Sequence, residues 1–146
     1  MTASIIVPCA QCATLNRIPA DKRQAQPQCG ACQQQVFTTE AFDLEQATFA
    51  KQRKGDVPLL VDVWASWCGP CRQFAPIFSE AAALLSTECR FGKLDSEAHP
   101  ALSGELGVRS IPSLILFKNG QEIARQSGAM PLQQLLNWLK QHGIGN

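Results

Sequence analysis

The chain has no apolar run long enough to cross a bilayer, which takes about 20 residues. Its first apolar run, Ile5-Ile6-Val7, is short and has no basic residue before it, so the sequence predicts no secretory signal. An excess of one charge is also missing, because the formal net charge is +1. We therefore expect a protein of the reducing cytosol, with no membrane partner and little reason to bind nucleic acid.

Internal repeats and low-complexity tracts are absent as well, and histidine is scarce, with two residues in 146. Cysteine is instead abundant, with seven residues. In a reducing compartment, seven cysteines favour metal binding and catalysis over a framework of disulfides. With 45% hydrophobic residues, a chain of this length can form one compact domain and a smaller module.

The segment Trp67-Cys68-Gly69-Pro70-Cys71 carries the strongest chemical signal. It follows a strand-like apolar run at 59–65 and opens a helix-like run at 71–85. Two thiols three positions apart can close a small disulfide ring, and the unpaired N–H groups at a helix N-terminus favour a thiolate. The pattern therefore indicates a redox-active dithiol. The alternatives are two cysteines that only pack in the core, or a zinc site that would lack a second ligand pair.

Cys68 is the predicted nucleophile, because it occupies a position like a helix N-cap, where its sulfur can accept the N–H of Cys71. Cys71 is predicted to be more shielded and to resolve the mixed disulfide. Asp62 interrupts the apolar strand before this dithiol. A lone buried carboxylate tends to keep its proton, so Asp62 is a candidate general acid and base for Cys71. The alternative is a carboxylate with a purely structural role.

Four further cysteines form two pairs with metal-binding spacing. Each pair has the form Cys-x-x-Cys, and sixteen residues separate the pairs, as is typical of a zinc ribbon. The predicted ligands are Cys9, Cys12, Cys29 and Cys32. A closed shell of four thiolates predicts one structural zinc ion without histidine, and the alternative is two reversible disulfides. Cys89, the seventh cysteine, is expected to be a small, partly buried residue at the start of a strand.

Residues 1–36 are rich in glutamine and show little helical or strand periodicity. A segment of this size cannot bury enough apolar surface to fold without a staple, so we expect residues 1–36 to form a zinc-binding module. A linker at about 33–39 would connect it to a domain over 37–146. The module carries a net charge of +2, which gives weak support to an alternative function as an adaptor for protein or nucleic acid.

From residue 41 onward, strand and helix patterns alternate. We predict strands at 41–44, 59–65, 90–95, 114–117 and 122–126, and helices at 45–54, 71–85, 100–106 and 131–141. The last two strands flank Asn119-Gly120, which is a strong hairpin signal. This order predicts an α/β fold in which helices flank a mixed sheet.

The run from Leu60 to Cys71 resembles the active-site segment of the thioredoxin family. The stretches 109–113 and 117–120 resemble the cis-proline loop and the late hairpin of that family. The resemblance covers about residues 37–146, and residues 1–36 resemble the zinc module of the thioredoxin 2 type. It implies a thioredoxin-like mixed sheet flanked by helices and preceded by a small zinc-ribbon-like module.

The resemblance also implies further site residues. It places Lys93 beside Asp62, either in catalysis or as a structural partner of the carboxylate. It implies a cis peptide between Ile111 and Pro112. It further implies a flat apolar surface on which protein substrates dock, formed by Trp67, Gly69, Pro70, Ile111, Pro112 and Gly128.

A thioredoxin-like dithiol implies a thiol-disulfide oxidoreductase that reduces disulfide-containing proteins. Its implied electron donor is a thioredoxin reductase, and no tightly bound organic cofactor is expected. Gly69-Pro70 between the cysteines fits a reductant, and the remaining alternative is a disulfide oxidant or isomerase. We also expect that an oxidant would release zinc and loosen residues 1–36 while residues 37–146 stay folded.

Overall fold

The computed structural model describes residues 3–145; residues 1, 2 and 146, which belong to the two predicted domains, lie outside the described residues. Its strands are β1 (Ser4–Pro8), β2 (Leu15–Pro19), β3 (Phe42–Asp43), β4 (Leu59–Trp64), β5 (Arg90–Asp95), β6 (Ser113–Lys118) and β7 (Gln121–Ser127). Five of them form one sheet in the order β3-β5-β4-β6-β7. Strands β3, β5 and β4 run parallel, whereas β6 is antiparallel to both β4 and β7. The predicted mixed sheet is therefore confirmed.

Helices cover both faces of this sheet: α1 (Phe49–Gln52), α2 (Gly69–Leu84), α3 (Pro100–Glu105) and α4 (Leu132–Gln141). On the face covered by α2 and α4, the buried side chains include Leu60, Phe74, Phe78, Leu114 and Leu135. On the face covered by α1 and α3, they include Phe49, Val61, Leu102 and Ile115. None of the helices within residues 3–145 is long and apolar enough to span a membrane.

All four predicted helices differ from their predicted bounds, and two of them, α1 and α2, differ by more than one residue at an end. Helix α2 begins at Gly69, two positions earlier than predicted, because Cys68 acts as its N-cap and Pro70 lies in the first turn, where a proline is tolerated. Helix α1 is shorter than predicted, since residues 46–48 form a turn before it. The buried residues of α1 are Phe49 and Gln52, and Gln52 contacts the N-terminal module rather than continuing the helix face.

The N-terminal module has more regular structure than its sequence indicated. Strands β1 and β2 form an antiparallel hairpin, and a 3-10 helix follows at Ala20–Ala25. The predicted linker is not a free connection, because Val36 and Phe37 are buried in a small apolar cluster with Val7 and Ile18. Val57, which precedes β4, belongs to the same cluster, so the N-terminal module shares apolar contacts with the part of the chain that forms the five-stranded sheet.

The module contacts the amino end of β4. The backbone N–H of Ile6 donates to Oδ2 of Asp56 at 2.7 Å, and the N–H of Asp56 donates to the carbonyl oxygen of Ile6 at 2.8 Å. Gly55 permits this close approach, because a Cβ atom there would lie 2.7 Å from Cδ of Pro8. Cys68 follows the carboxyl end of β4, so the module lies at the end of the sheet opposite the dithiol.

Candidate redox site and metal centre

The dithiol lies where β4 ends and α2 begins. Cys68 is the N-cap of α2, and its Sγ atom accepts the backbone N–H of Cys71 at 3.2 Å, as the sequence predicted. The two cysteines form a disulfide with their Cα atoms 5.2 Å apart. The expected difference in shielding is not present, because Cys68 is 4% exposed and Cys71 is 3% exposed. Both sulfurs pack in one cluster with Ala65, so the N-cap position, rather than exposure, distinguishes the two cysteines.

A second loop covers the dithiol. The peptide bond between Ile111 and Pro112 is cis, which agrees with the prediction from the resemblance. The carbonyl oxygen of Ile111 lies 3.8 Å from Sγ of Cys68, and the Ile111 side chain packs against the cysteine cluster. The N–H of Gly128 donates to the carbonyl oxygen of Pro112 at 2.8 Å, which places Gly128 at the same end of the sheet.

The residues of the predicted docking surface surround this disulfide. Trp67 is 67% exposed, although a tryptophan side chain is usually at least partly buried. Pro70 is exposed, Gly69 and Gly128 are half-buried, and a Cβ atom at either glycine would contact nothing within 4 Å. The surface beside the disulfide is therefore open and largely apolar. Trp64 differs from Trp67, because it is half-buried and packs against the cysteine pair.

Asp62 is buried on the face of the sheet that α2 covers, since it lies two residues after Leu60 in β4. It is 1% exposed, and neither carboxylate oxygen has a hydrogen-bond partner among residues 3–145. Burial raises the pKa of Asp62 to about 7, and the positive charge of Lys93 acts in the opposite direction. Lys93 is the register partner of Asp62 on β5, and its Nζ atom lies 4.7 Å from the centre of the Trp64 ring. The structure therefore brings the two residues together, with a carboxyl group that can exchange a proton near neutral pH.

The four predicted metal ligands lie together in the module. The two Cys-x-x-Cys segments have the same local structure, because the N–H two residues after the first cysteine approaches its sulfur in both: Gln11 at 3.3 Å from Cys9, and Ala31 at 3.4 Å from Cys29. In both, the residue after the second cysteine has a positive φ, 66° at Ala13 and 69° at Gln33. Such repeated turns direct two sulfurs of each segment toward one point.

The distances between the four sulfurs fit a tetrahedral metal ion. Zinc–sulfur bonds of about 2.3 Å place neighbouring sulfurs about 3.8 Å apart. The Sγ atoms of Cys9 and Cys32 are 3.6 Å apart, as are those of Cys12 and Cys29. All four atoms lie within 4.8 Å of one another. The residues therefore can bind a metal, and thiolates in a closed shell match zinc.

The pKa values of the cysteine thiols differ. A backbone hydrogen bond from Cys32 lowers the pKa of Cys29 to about 6, whereas burial raises the pKa of Cys9 to about 12. Cys89 lies outside both sites, and burial raises its pKa to about 12. It is fully buried rather than partly buried as predicted, which leaves it unreactive.

Sequence reasoning missed two buried polar residues next to the metal ligands, Gln52 and Arg90. Each is 4% exposed. The sequence offered one signal, an arginine directly after a cysteine at the start of an apolar strand. It did not indicate that Gln52 accepts hydrogen bonds from this arginine and donates one to the backbone of Cys9. The second bond depends on how the module packs against the sheet, and the residue pattern within one strand carries no information on that packing.

Comparison with known proteins agrees with both sites. The family model described as thioredoxin matches residues 40–141, and the model described as thioredoxin 2, N-terminal, a zinc ribbon, matches residues 8–34. Thioredoxin C-3 of Corynebacterium nephridii is 41% identical over 138 residues, which is 94% of each chain. Thioredoxin of Haemophilus influenzae is 45% identical over 87 residues, which is 60% of this chain and 81% of the relative.

A solved structure supports the same assignment. The crystal structure of thioredoxin from Malassezia sympodialis (Mala s 13) matches with a TM-score of 0.65 and 30% sequence identity, and the match covers 70% of this chain and 90% of that chain. Because one family model spans most of the sequence and a relative aligns along nearly its whole length, the chain belongs to the thioredoxin family of thiol-disulfide oxidoreductases and carries the N-terminal zinc ribbon of thioredoxin 2.

Proposed function

We propose that this protein reduces disulfide bonds in other proteins through Cys68 and Cys71. The observation that supports this most is the 3.2 Å contact from the N–H of Cys71 to Sγ of Cys68 at the start of the 16-residue helix α2. This donor and the positive end of the helix dipole favour a thiolate at Cys68. A low thiol pKa increases the fraction of the attacking species at neutral pH.

The reaction proceeds in two exchange steps. The Cys68 thiolate attacks one sulfur of the substrate disulfide, and the first substrate sulfur leaves as a thiolate that takes a proton. The Cys71 thiol then loses its proton, and its sulfur attacks Cys68 in the mixed disulfide. The second substrate sulfur is released as a thiol, and Cys68 and Cys71 are left as an oxidised disulfide. Two electrons must return from a reductant, and a thioredoxin reductase is the partner that the family implies.

Asp62 is proposed as the base that takes the proton of Cys71. A carboxyl group with a pKa of about 7 has suitable acidity to accept a proton in one step and return it in another at neutral pH. Lys93 is proposed to limit the rise of this pKa through its charge. Burial raises the pKa of Asp62 and the charge of Lys93 lowers it, so the balance of these two effects sets the acidity of the Asp62 carboxyl group.

Substrates are proposed to dock on the open apolar surface around the disulfide. An extended substrate segment can pair with the backbone of Ile111, which precedes the cis proline, while its apolar side chains contact Trp67. The surface comprises the six residues predicted from the sequence, Trp67, Gly69, Pro70, Ile111, Pro112 and Gly128. Trp67 and Pro70 are exposed, Pro112 is buried, and the other three are half-buried. The exposed apolar side chains and the open space at Gly69 and Gly128 support this role.

The N-terminal module is proposed to hold one structural zinc ion through Cys9, Cys12, Cys29 and Cys32. A four-thiolate shell has no open position for a substrate, so its contribution is to stabilise the module. Thiolate ligands require reduced cysteines, which supports a location in the reducing cytosol. We propose that residues 1–36 form this module and that residues 37–146 form the catalytic domain. Zinc release on oxidation is the proposed regulatory consequence.

The test is reduction of insulin disulfides by the full chain, with dithiothreitol or a thioredoxin reductase as electron donor. Cys68→Ser is expected to abolish turnover. Cys71→Ser is expected to accumulate mixed disulfides with substrates, since attack remains and resolution is lost. Adducts on Cys68→Ser but not on Cys71→Ser would reverse the two roles. A redox potential of about −120 mV for the Cys68–Cys71 pair, rather than about −270 mV, would indicate an oxidant instead of a reductase.

A further inference from the structure

Arg90 is a charged residue in the protein interior for which the redox mechanism has no role. It begins β5 and is 4% exposed. Its guanidinium donates to the carbonyl oxygen of Gln52 at 2.8 Å and also to Oε1 of Gln52, and its Cζ atom lies 5.1 Å from the centre of the Phe42 ring. Within residues 3–145, no carboxylate oxygen lies within 4.0 Å of this guanidinium. A buried cation without an anionic partner is costly, so the hydrogen bonds to Gln52 are important for holding this guanidinium.

Gln52 connects Arg90 to the metal centre. Its Nε2 atom donates to the carbonyl oxygen of Cys9 at 2.9 Å, and the residue is 4% exposed. The three residues therefore form a continuous buried chain of hydrogen bonds from the catalytic sheet to a metal ligand.

The guanidinium is held by neutral acceptors on Gln52, and both residues are buried. A buried charge held in this way depends on its acceptors keeping their positions. Gln52 is itself bonded to the carbonyl oxygen of Cys9, so the position of the Cys9 loop fixes the acceptors of Arg90.

We propose that Arg90 and Gln52 are positioning residues that couple the occupancy of the four-cysteine centre to the stability of the catalytic domain. Arg90 holds the Gln52 side chain from the catalytic side, and Gln52 in turn holds the Cys9 backbone. When zinc leaves, the metal no longer fixes the Cys9 loop, so the hydrogen bonds from Gln52 and Arg90 lose a fixed partner. Residues 37–146 then become less stable, although no residue of the dithiol site has changed.

This proposal rests on the zinc occupancy proposed above, so metal analysis of the purified, reduced full chain comes first. Absence of zinc would overturn both the metal assignment and the coupling. Presence of zinc without any coupling would overturn only the role of Arg90 and Gln52. The two failures are therefore distinguishable.

Tryptophan fluorescence reports on the catalytic domain alone, because the three tryptophans are Trp64, Trp67 and Trp138 and the chain has no tyrosine. Urea unfolding is followed with and without a zinc chelator, at one fixed concentration of reductant. In the unchanged protein we expect chelation to lower the urea midpoint. In Arg90→Met we expect less than half of that shift, because the variant has no buried guanidinium whose hydrogen bonds depend on Gln52. Arg90→Lys keeps a charged donor at this position and is expected to retain most of the shift.

Zinc transfer to a coloured chelator gives a second readout. Residues that support metal ligands typically contribute about 10–100-fold to affinity. We expect Arg90→Met and Gln52→Met to release zinc faster by about that factor. The matched control is Arg17→Met, which removes a positive charge from an exposed position on β2 and is expected to match the unchanged chain.

An equal chelation shift in Arg90→Met and the unchanged protein would overturn the coupling. Equally fast zinc release from Arg17→Met would show that net charge, rather than the buried contact, is responsible, and would also overturn it. If Arg90→Met does not fold, the decision passes to Gln52→Met, which leaves Arg90 in place. Unchanged zinc release from that variant would refute the proposal.

Discussion

Replacing Asp62 with asparagine should stabilise the protein more at high pH than at low pH. The pKa of Asp62 rises from 3.8 to about 7 on folding, because the carboxylate is buried. Ionisation therefore costs stability as the pH rises above 3.8, and the cost is complete above about pH 7. Each pKa unit corresponds to about 1.4 kcal/mol, so the cost is roughly 4 kcal/mol at pH 8 and roughly 2 kcal/mol at pH 5.

The variant removes this cost at every pH. Its free energy of unfolding, relative to the unchanged protein, should increase by roughly 2–3 kcal/mol between pH 5 and pH 8. Any fixed cost of burying the asparagine amide is the same at both pH values, so it does not enter this difference. Effects of pH on the metal centre act on both proteins and cancel in the comparison at each pH.

The assay is urea unfolding followed by tryptophan fluorescence at pH 5, 6, 7 and 8, with the Cys68–Cys71 pair in the same redox state in both proteins. The control is Asp43→Asn, which changes an exposed carboxylate on β3. An advantage for Asp62→Asn that is equal at pH 5 and pH 8 would show that ionisation is not its cause. Insulin reduction by the variant should decrease most between pH 7 and pH 8, where Cys71 needs a proton acceptor. A turnover unaffected at these pH values would remove Asp62 from the mechanism.

Three further predictions follow from the described contacts. Gly55→Ala should destabilise the protein by about 1–3 kcal/mol, because the new Cβ atom would overlap Pro8, whereas Gly104→Ala, a helical position with open space, should stabilise it slightly in the same thermal unfolding assay. Equal effects of the two alanines would contradict the close approach. Trp67→Ala should raise KM for insulin with little change in unfolding, since the side chain is 67% exposed, and a loss of stability instead would assign Trp67 to the core. Peroxide should release one zinc ion per reduced chain, measured with a chelator, and reductant plus zinc should restore it; retention of zinc under peroxide would exclude a redox-responsive centre.

The dithiol and the metal centre could be predicted from the sequence because both are defined by spacing within short segments. A Cys-x-x-Cys pair at a strand-to-helix junction places the first sulfur at the helix N-cap whatever the rest of the chain does, and the structure has Cys68 there. Likewise, β5 spans 90–95 as predicted, since turns lie on both sides of this short segment. In contrast, the position of Lys93 beside Asp62 came from the family resemblance, because strand register is not written in either strand alone.

The docking of the module could not be predicted from the sequence. Residues 4–8 and 15–19 pair as strands, but their glutamine-rich surroundings and short length hide the alternation. Val36 and Phe37 looked like part of a linker, yet they are buried because Val57 completes an apolar cluster with them. Gln52 lies within a predicted helix, and the sequence alone does not show its contact with Cys9 of the module. Each of these features depends on contacts between distant segments, and a local pattern does not contain them.

The position of the module at the amino end of β4 affects which cysteines can exchange disulfides within the molecule. Cys12 is exposed and could capture a mixed disulfide formed at Cys68 if the two were neighbours. The six residues of β4 lie between the two ends of the sheet and span roughly 20 Å. At that separation a substrate held on Cys68 reaches Cys71 by a small movement and reaches Cys12 only by leaving the surface. The fold therefore keeps the four clustered cysteines apart from the Cys68–Cys71 pair, which disfavours disulfide exchange between the two groups.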